Sequence, residues 1–161
     1  MILGNAKLKE QNTVNNPPRI LIMDGDKTVR RSIAAILEAE GFTAESVETG
    51  KEAIEKSKSN FYNLVLTDVR LPDMTGTEAL SQMKETIPPM IKIIIAGYAS
   101  LPKAVEAVND GADACILIPT EPEKLIKLLK KGLKKQENAK MFTQEQMAGF
   151  IETRVKEMQH P

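Results

Sequence analysis

NLVLTDVRLPDMTG, residues 63–76, is the stretch whose reading decides the fold. Leu64, Val65 and Leu66 form an apolar run with no polar alternation, the pattern of a strand covered on both faces. Asp68 stands where that run ends. Leu71–Gly76 then supplies the Pro, Asp and Gly of a turn before the next helix. An acid at the carboxyl end of a buried parallel strand faces the crevice where open α/β sheets place their chemistry.

Upstream, Ile20–Met23 is a second fully apolar run, leading into Asp24-Gly25-Asp26. Val29, Ile33, Ile36 and Leu37 follow at helical spacing, and Gly41 stops that helix. Phe42–Val47 is half-polar, which suits a sheet edge, and Lys51–Ser57 reads as a short, weakly amphipathic helix. Downstream, Thr77–Thr86 reads as a helix with Ala79, Leu80 and Met83 inward, ended by Pro88-Pro89. Ile91–Ile95 is again wholly apolar and runs into Ala96-Gly97-Tyr98-Ala99-Ser100. Ser100 can cap a helix with Val105 and Val108 inward, and Gly111 follows it. Ala114–Leu117 is a fifth strand. Thr120 and Glu123 have the spacing of a capping box over a Lys-rich helix burying Leu125, Ile126, Leu129 and Leu133. Strands alternating with helices at this spacing predict βαβ units: an α/β, doubly wound, five-stranded parallel sheet over residues 19–136.

The two ends read differently. Residues 1–18 carry Asn, Lys and two prolines without periodicity and read as a flexible lead-in. Gln136–Lys140 reads as a polar linker into a C-terminal amphipathic helix within 137–161. There Thr143 and Gln146 have capping-box spacing, and Phe142 and Met147 stand as a hydrophobic staple. Met147, Phe150, Ile151, Val155 and Met158 line one face. That stripe is a partner-binding candidate, against the alternative that it docks on its own domain.

Charge balances at 22 Lys+Arg against 22 Asp+Glu, so the whole molecule has no nucleic-acid or membrane signature. Lys124, Lys127, Lys130, Lys131, Lys134 and Lys135 read as a solvated helix face, since no aromatic residues interleave with them. One cysteine, Cys115, excludes an internal disulfide framework, and the single histidine is His160. No apolar run is long enough for a signal peptide or a bilayer span, so a cytoplasmic protein is expected, and with a single histidine neither histidine-based catalysis nor a His-rich metal site is expected.

Four features in order resemble the receiver domain of two-component response regulators: Asp24 after the first strand, LTDVRLPDMTG around Asp68, AGYAS after the fourth strand, and GADACILIP ending the fifth. The resemblance covers about residues 19–135. It implies a flavodoxin-like sheet in the order 2-1-3-4-5, a phosphoacceptor at Asp68, and Mg²⁺ held by Asp24, Asp68 and the backbone carbonyl of Arg70. Asp26 is a further metal candidate, its alternative being the N-cap of the first helix. In the family, transfer onto the carboxylate is helped by cations and donors aimed at the phosphoryl oxygens.

The other family positions depart from that pattern. The second acid falls on Gly25, the hydroxyl residue on Ala96, the lysine on Ile118, and the switching aromatic residue on Cys115. The reading is therefore a pseudo-receiver: a protein-interaction module with a degenerate acceptor site and weak Mg²⁺ binding. Its expected partner is a histidine kinase or downstream signalling protein, with a homodimer as a further candidate, and its family implies pairing through the fourth and fifth helices. Two alternatives stay open. One is a working receiver that takes phosphate on Asp68. The other starts from ILIMDGDKTV, residues 20–29, which also resembles the first motif of haloacid-dehalogenase-type phosphatases, with Asp24 as nucleophile and Asp26 as general acid.

Overall fold

The runs that are apolar on both faces become the centre of one sheet. The structure, a computed structural model, describes residues 16–159, without the side chains of residues 143, 150–157 and 159. Strands β1 (Arg19–Met23), β2 (Thr43–Val47), β3 (Leu64–Asp68), β4 (Ile91–Ala96) and β5 (Ala114–Leu117) lie in the order β2-β1-β3-β4-β5. All neighbours are parallel. The half-polar strand is an edge, as its pattern predicts. Residues 1–15 of the expected lead-in and His160 lie outside the described residues.

Five helices cover the sheet: α1 (Lys27–Ala39), α2 (Gly50–Ser59), α3 (Gly76–Gln82), α4 (Leu101–Asn109) and α5 (Pro122–Gln159). Successive strand residues point to opposite faces, so each strand feeds two cores. Ile20, Ile22, Leu64, Leu66, Ile93 and Ile95 pack with Ile33 and Leu37 of α1 and Leu125 and Leu129 of α5. Leu21, Met23, Val65 and Ile94 pack with Ala53, Ala79, Leu80 and Ala104 of α2, α3 and α4. Each fully buried aliphatic side chain contributes about 1.5–3 kcal/mol, so the two cores carry the fold.

Three elements differ from the sequence expectation. Helix α3 ends at Gln82, short of Thr86: Met83 turns to extended backbone, and the N–H of Lys84 donates to Ser57 Oγ at 3.0 Å. Helix α4 buries Ala104 and Ala107, while Val105, expected inward, is half exposed and Val108 is partly buried. Small side chains let that helix approach the sheet closely, and Ser100 makes no side-chain cap. A single-turn 3₁₀ segment at Tyr98–Ser100 leads into it.

The largest difference lies in α5. Its first turn closes on the carbonyl of Glu121, which accepts from Lys124 and Leu125, so the helix opens one residue after the expected Thr120 cap. It then runs unbroken for 38 residues through the stretch expected to be a linker and through the expected cap at Thr143. Gln136, expected at the start of that linker, is buried. Its Nε2 donates to the carbonyl oxygens of Asn63 at 2.9 Å and Pro89 at 2.8 Å, while its Oε1 accepts from Asn63 Nδ2 at 3.2 Å. A buried amide satisfied on both ends holds the helix at this point, where a linker would have been free.

Candidate functional site

Two carboxylates meet at the carboxyl end of the sheet. Strand β1 runs into Asp24 and its neighbour β3 ends on Asp68, and their parallel register brings both acids to one edge. Asp24 is only 3% exposed, and Asp68 is half-buried. Asp24 Oδ1 accepts from the N–H of Asp26 at 2.8 Å, and Asp68 Oδ1 accepts from the N–H of Val69 at 2.8 Å. The N–H of Arg70 also bonds Asp68. Burial pushes both carboxyls above the ordinary carboxyl range. The charge of Asp24 pushes Asp68 further up, against the lowering effect of its two N–H donors.

The loop after Asp68 is fixed by close approach. A Cβ at Gly76 would stand 2.2 Å from the carbonyl oxygen of Asp68 and 2.7 Å from Thr67 Oγ1, so only glycine lets α3 begin there. Asp73 accepts from the N–H groups of Gly50 at 2.9 Å and Lys51 at 3.0 Å, tying the loop to the start of α2. Those bonds hold the exposed Asp73 carboxyl below its ordinary range. Arg70 and Tyr98 are exposed on the two loops at the mouth.

The remaining candidate positions divide clearly. Asp26 caps α1: its Oδ1 accepts from Thr28 at 2.8 Å and Val29 at 3.3 Å, which assigns it the capping alternative. At Gly25 a Cβ would stand 3.2 Å from the Pro72 ring, so a side chain there would need that ring to yield. Ala96 is 1% exposed in the apolar core of the α2–α4 face, with Cys115 packed partly buried beside it. Ile118 faces the other side, on a groove of about 510 Å³ between α1 and α5 whose walls include Val29, Ile33, Ile95, Ile116 and Leu125. The Ile118–Pro119 bond is cis. Of the partner-binding candidates, Met147 is exposed (62%) on α5, while the side chains of Phe150, Ile151 and Val155 lie outside the described ones.

Among the described residues, no three His, Cys, Asp or Glu side chains gather as a metal cluster. The acids present still fit a divalent cation in a reduced way. The charge of buried Asp24 raises the cost of charging half-buried Asp68, and Mg²⁺ relieves such a pair while keeping several waters. Asp24 and Asp68 are the carboxylates the structure brings together here, while Asp26 uses its Oδ1 to cap α1.

Sequence reading missed two residues that shape this site. Arg30 of α1 donates from Nη1 to the carbonyl oxygen of Asp24 at 2.7 Å. Its signal in the sequence is only that it stands one turn inside a helix opening beside an acid. Asp73 was read as a turn residue, and nothing local points to Gly50, which lies 23 residues away.

The chain can now be set beside known proteins. The family model for the response regulator receiver domain matches residues 20–130. A crystal structure of a response regulator receiver domain protein (CheY-like) from Methanospirillum hungatei JF-1 is 42% identical, with a TM-score of 0.70, covering 76% of this chain and 98% of that one. Among curated relatives, the C4-dicarboxylate transport transcriptional regulatory protein DctD of Rhizobium meliloti (strain 1021) is 28% identical over 74% of this chain. The cell cycle response regulator CtrA of Brucella ovis is 30% identical over 67% of it. This chain spans 26% of the length of DctD and 47% of CtrA. With the sheet order, the paired acids and the family match over more than half of its residues, this chain belongs to the family of response regulator receiver domains of two-component signalling.

Proposed function

We propose that this receiver works chiefly as a protein-interaction module, with an acceptor site reduced in its ability to take and read out a phosphoryl group. One observation carries this reading: Ile118 lies on the wall of an apolar groove and Ala96 is buried in the opposite core. The family's lysine and hydroxyl positions therefore bring no donor to Asp68. Transfer onto a carboxylate needs positive charge and donors at the phosphoryl oxygens. A phosphoryl group with no partner at position 96 also has no differential contact with which to pull the following loop inward. Mg²⁺, when bound on Asp24, Asp68 and the Arg70 carbonyl, would supply charge for the incoming group. The chain's own residues orient Asp68 through the N–H groups of Val69 and Arg70.

Partner contact then falls to surfaces that do not depend on Asp68. Exposed Tyr98 and the α4 and α5 faces form one. The part of α5 beyond Ala139, with exposed Met141, Phe142 and Met147, forms another. A histidine kinase, a downstream signalling protein or a second copy is the partner class proposed. The interaction body is residues 19–136, and the setting is cytoplasmic; no helix among the described residues is long and apolar enough to cross a membrane. The second reading, a working phosphoacceptor, draws on the retained pair Asp24 and Asp68. The capping role of Asp26 and the receiver match give the phosphatase alternative no support.

Incubation with acetyl phosphate and Mg²⁺, read by intact mass beside Asp68→Asn, separates these readings. No labile adduct on the wild type at high donor concentration is the expected result. An adduct that forms readily and is lost in the variant would make this a working receiver.

A further inference from the structure

Past Gln136, helix α5 leaves its own body behind: every described side chain from Lys140 to Gly149 is exposed, and so is Met158 near its end. A helix in water draws most of its stability from packing an amphipathic face. Along this unbroken stretch the sequence follows a heptad. Met141, Ala148 and Val155 stand at its first position and Gln144, Ile151 and Met158 at its fourth, the two positions that meet in a coiled coil. The positions flanking that seam divide by sign. Lys140 and Arg154 stand just before a first position, and Glu145 and Glu152 just after a fourth. In a parallel pair these two flanks face each other across the seam, so Lys140 of one copy meets Glu145 of the other, twice by symmetry. An antiparallel pair would set the acidic flanks against each other. A seam that is basic on one side and acidic on the other complements a parallel copy of itself.

We infer that residues 140–159 of α5 pair in parallel with the same residues of a second copy, making this receiver a reversible homodimer joined by a short two-stranded coiled coil. The inference rests on reading the chain as an interaction module, and it names the partner of one of its surfaces. Gln144 places an amide inside the seam, which fixes the register and lowers the affinity. The seam is also short, so the pair forms and parts with protein concentration. Because α5 is continuous back to the buried Gln136, joining two arms in parallel also holds the two bodies at the same end of the coil.

The test weighs the full chain by sedimentation equilibrium at low ionic strength over a range of protein concentration, with circular dichroism to show that each variant keeps its fold. The wild type should move from the mass of one chain to that of two. Lys140→Glu and Glu145→Lys each set like charges across the seam. Each should weaken the pair about tenfold, as expected when two exposed ion pairs become two repulsions. The double variant, and an equal mixture of the two single variants, should recover the wild-type weights, because each restores opposite charges in the parallel register. Ile151→Asp puts a charge in the seam and should leave a folded monomer. A wild type that stays monomeric at every concentration would overturn the inference and leave the arm to a different partner. So would a dimer that ignores the single reversals or Ile151→Asp, which would place the contact elsewhere, and so would single variants that neither doubling nor mixing restores. None of these weights depends on Asp68. A labile adduct in the acetyl phosphate experiment would overturn the reduced-acceptor reading alone, and a monomer here would leave that reading standing.

Discussion

At the scale of single residues, Asp68 is held in place at a cost. Its carboxyl is pushed up by burial and by the charge of Asp24, so the folded chain binds its proton more tightly than the unfolded chain does. A group raised in this way favours the fold at low pH, and that contribution is lost as pH rises through its folded pKa. Asp68→Asn should therefore melt higher than the wild type near neutral pH, by about 2–4 °C for ~1 kcal/mol. The gap should close as pH falls below the ordinary carboxyl range. Melting curves across that range check it, and a gap independent of pH would show that repulsion is not its source. Asp24, Asp68 and the capping role of Asp26 were all legible in the sequence, because each follows from a residue type placed at a strand end or helix start. Arg30 and Asp73 were not legible, because their partners are a backbone carbonyl and two helix N–H groups brought close only by folding.

At the scale of elements, the sheet was readable and some helix phases were not. Unbroken runs such as Leu64–Leu66 and Ile93–Ile95 name buried strands directly, and all five strands lie where those runs and their weaker neighbours put them. In α4, however, the larger Val105 faces solvent while Ala104 and Ala107 face the sheet, because the space available there suits a methyl group. Apolar size and apolar position parted company. Helix α3 stopped early for a tertiary reason, the bond from Lys84 to Ser57, that no local pattern records. The stretch from Gln136 onward looked like a linker by composition, yet Gln136 makes a buried contact to two distant carbonyls. Gln136→Leu should cost about 1–3 kcal/mol, since the carbonyls of Asn63 and Pro89 would lose a buried donor. Denaturant unfolding would measure it, and a change within a few tenths of a kcal/mol would mean that water replaces the amide freely.

At the scale of the whole molecule, family, sheet order and acid pair were readable from sequence, whereas the continuity of α5 was not. The body buries its two cores within the sheet and the helix turns up to Leu129, and Gln136 is the last buried residue among those whose side chains are described. A chain ending at Lys140 should therefore stay folded and melt within about 2–4 °C of the full chain, as expected when less than ~1 kcal/mol is lost. Circular dichroism during heating decides this, and a collapse of the transition would place residues beyond 140 in the core. The same truncation, assayed for self-association by light scattering, tells a copy-to-copy role of the arm from one toward a different partner.

The unbroken 38-residue α5 would extend about 57 Å at 1.5 Å per residue. Because it leaves the body from a bolted point with no joint, it behaves as a shaft with an angular phase. One residue inserted just past Ala139 would turn the Met147 side of the shaft by about 100° and advance it by 1.5 Å, while four would bring it nearly back to its first bearing, one turn further out. Whatever meets that side must accept a direction set by a glutamine some 16 Å back along the axis, and the dial that sets it is the number of residues between them.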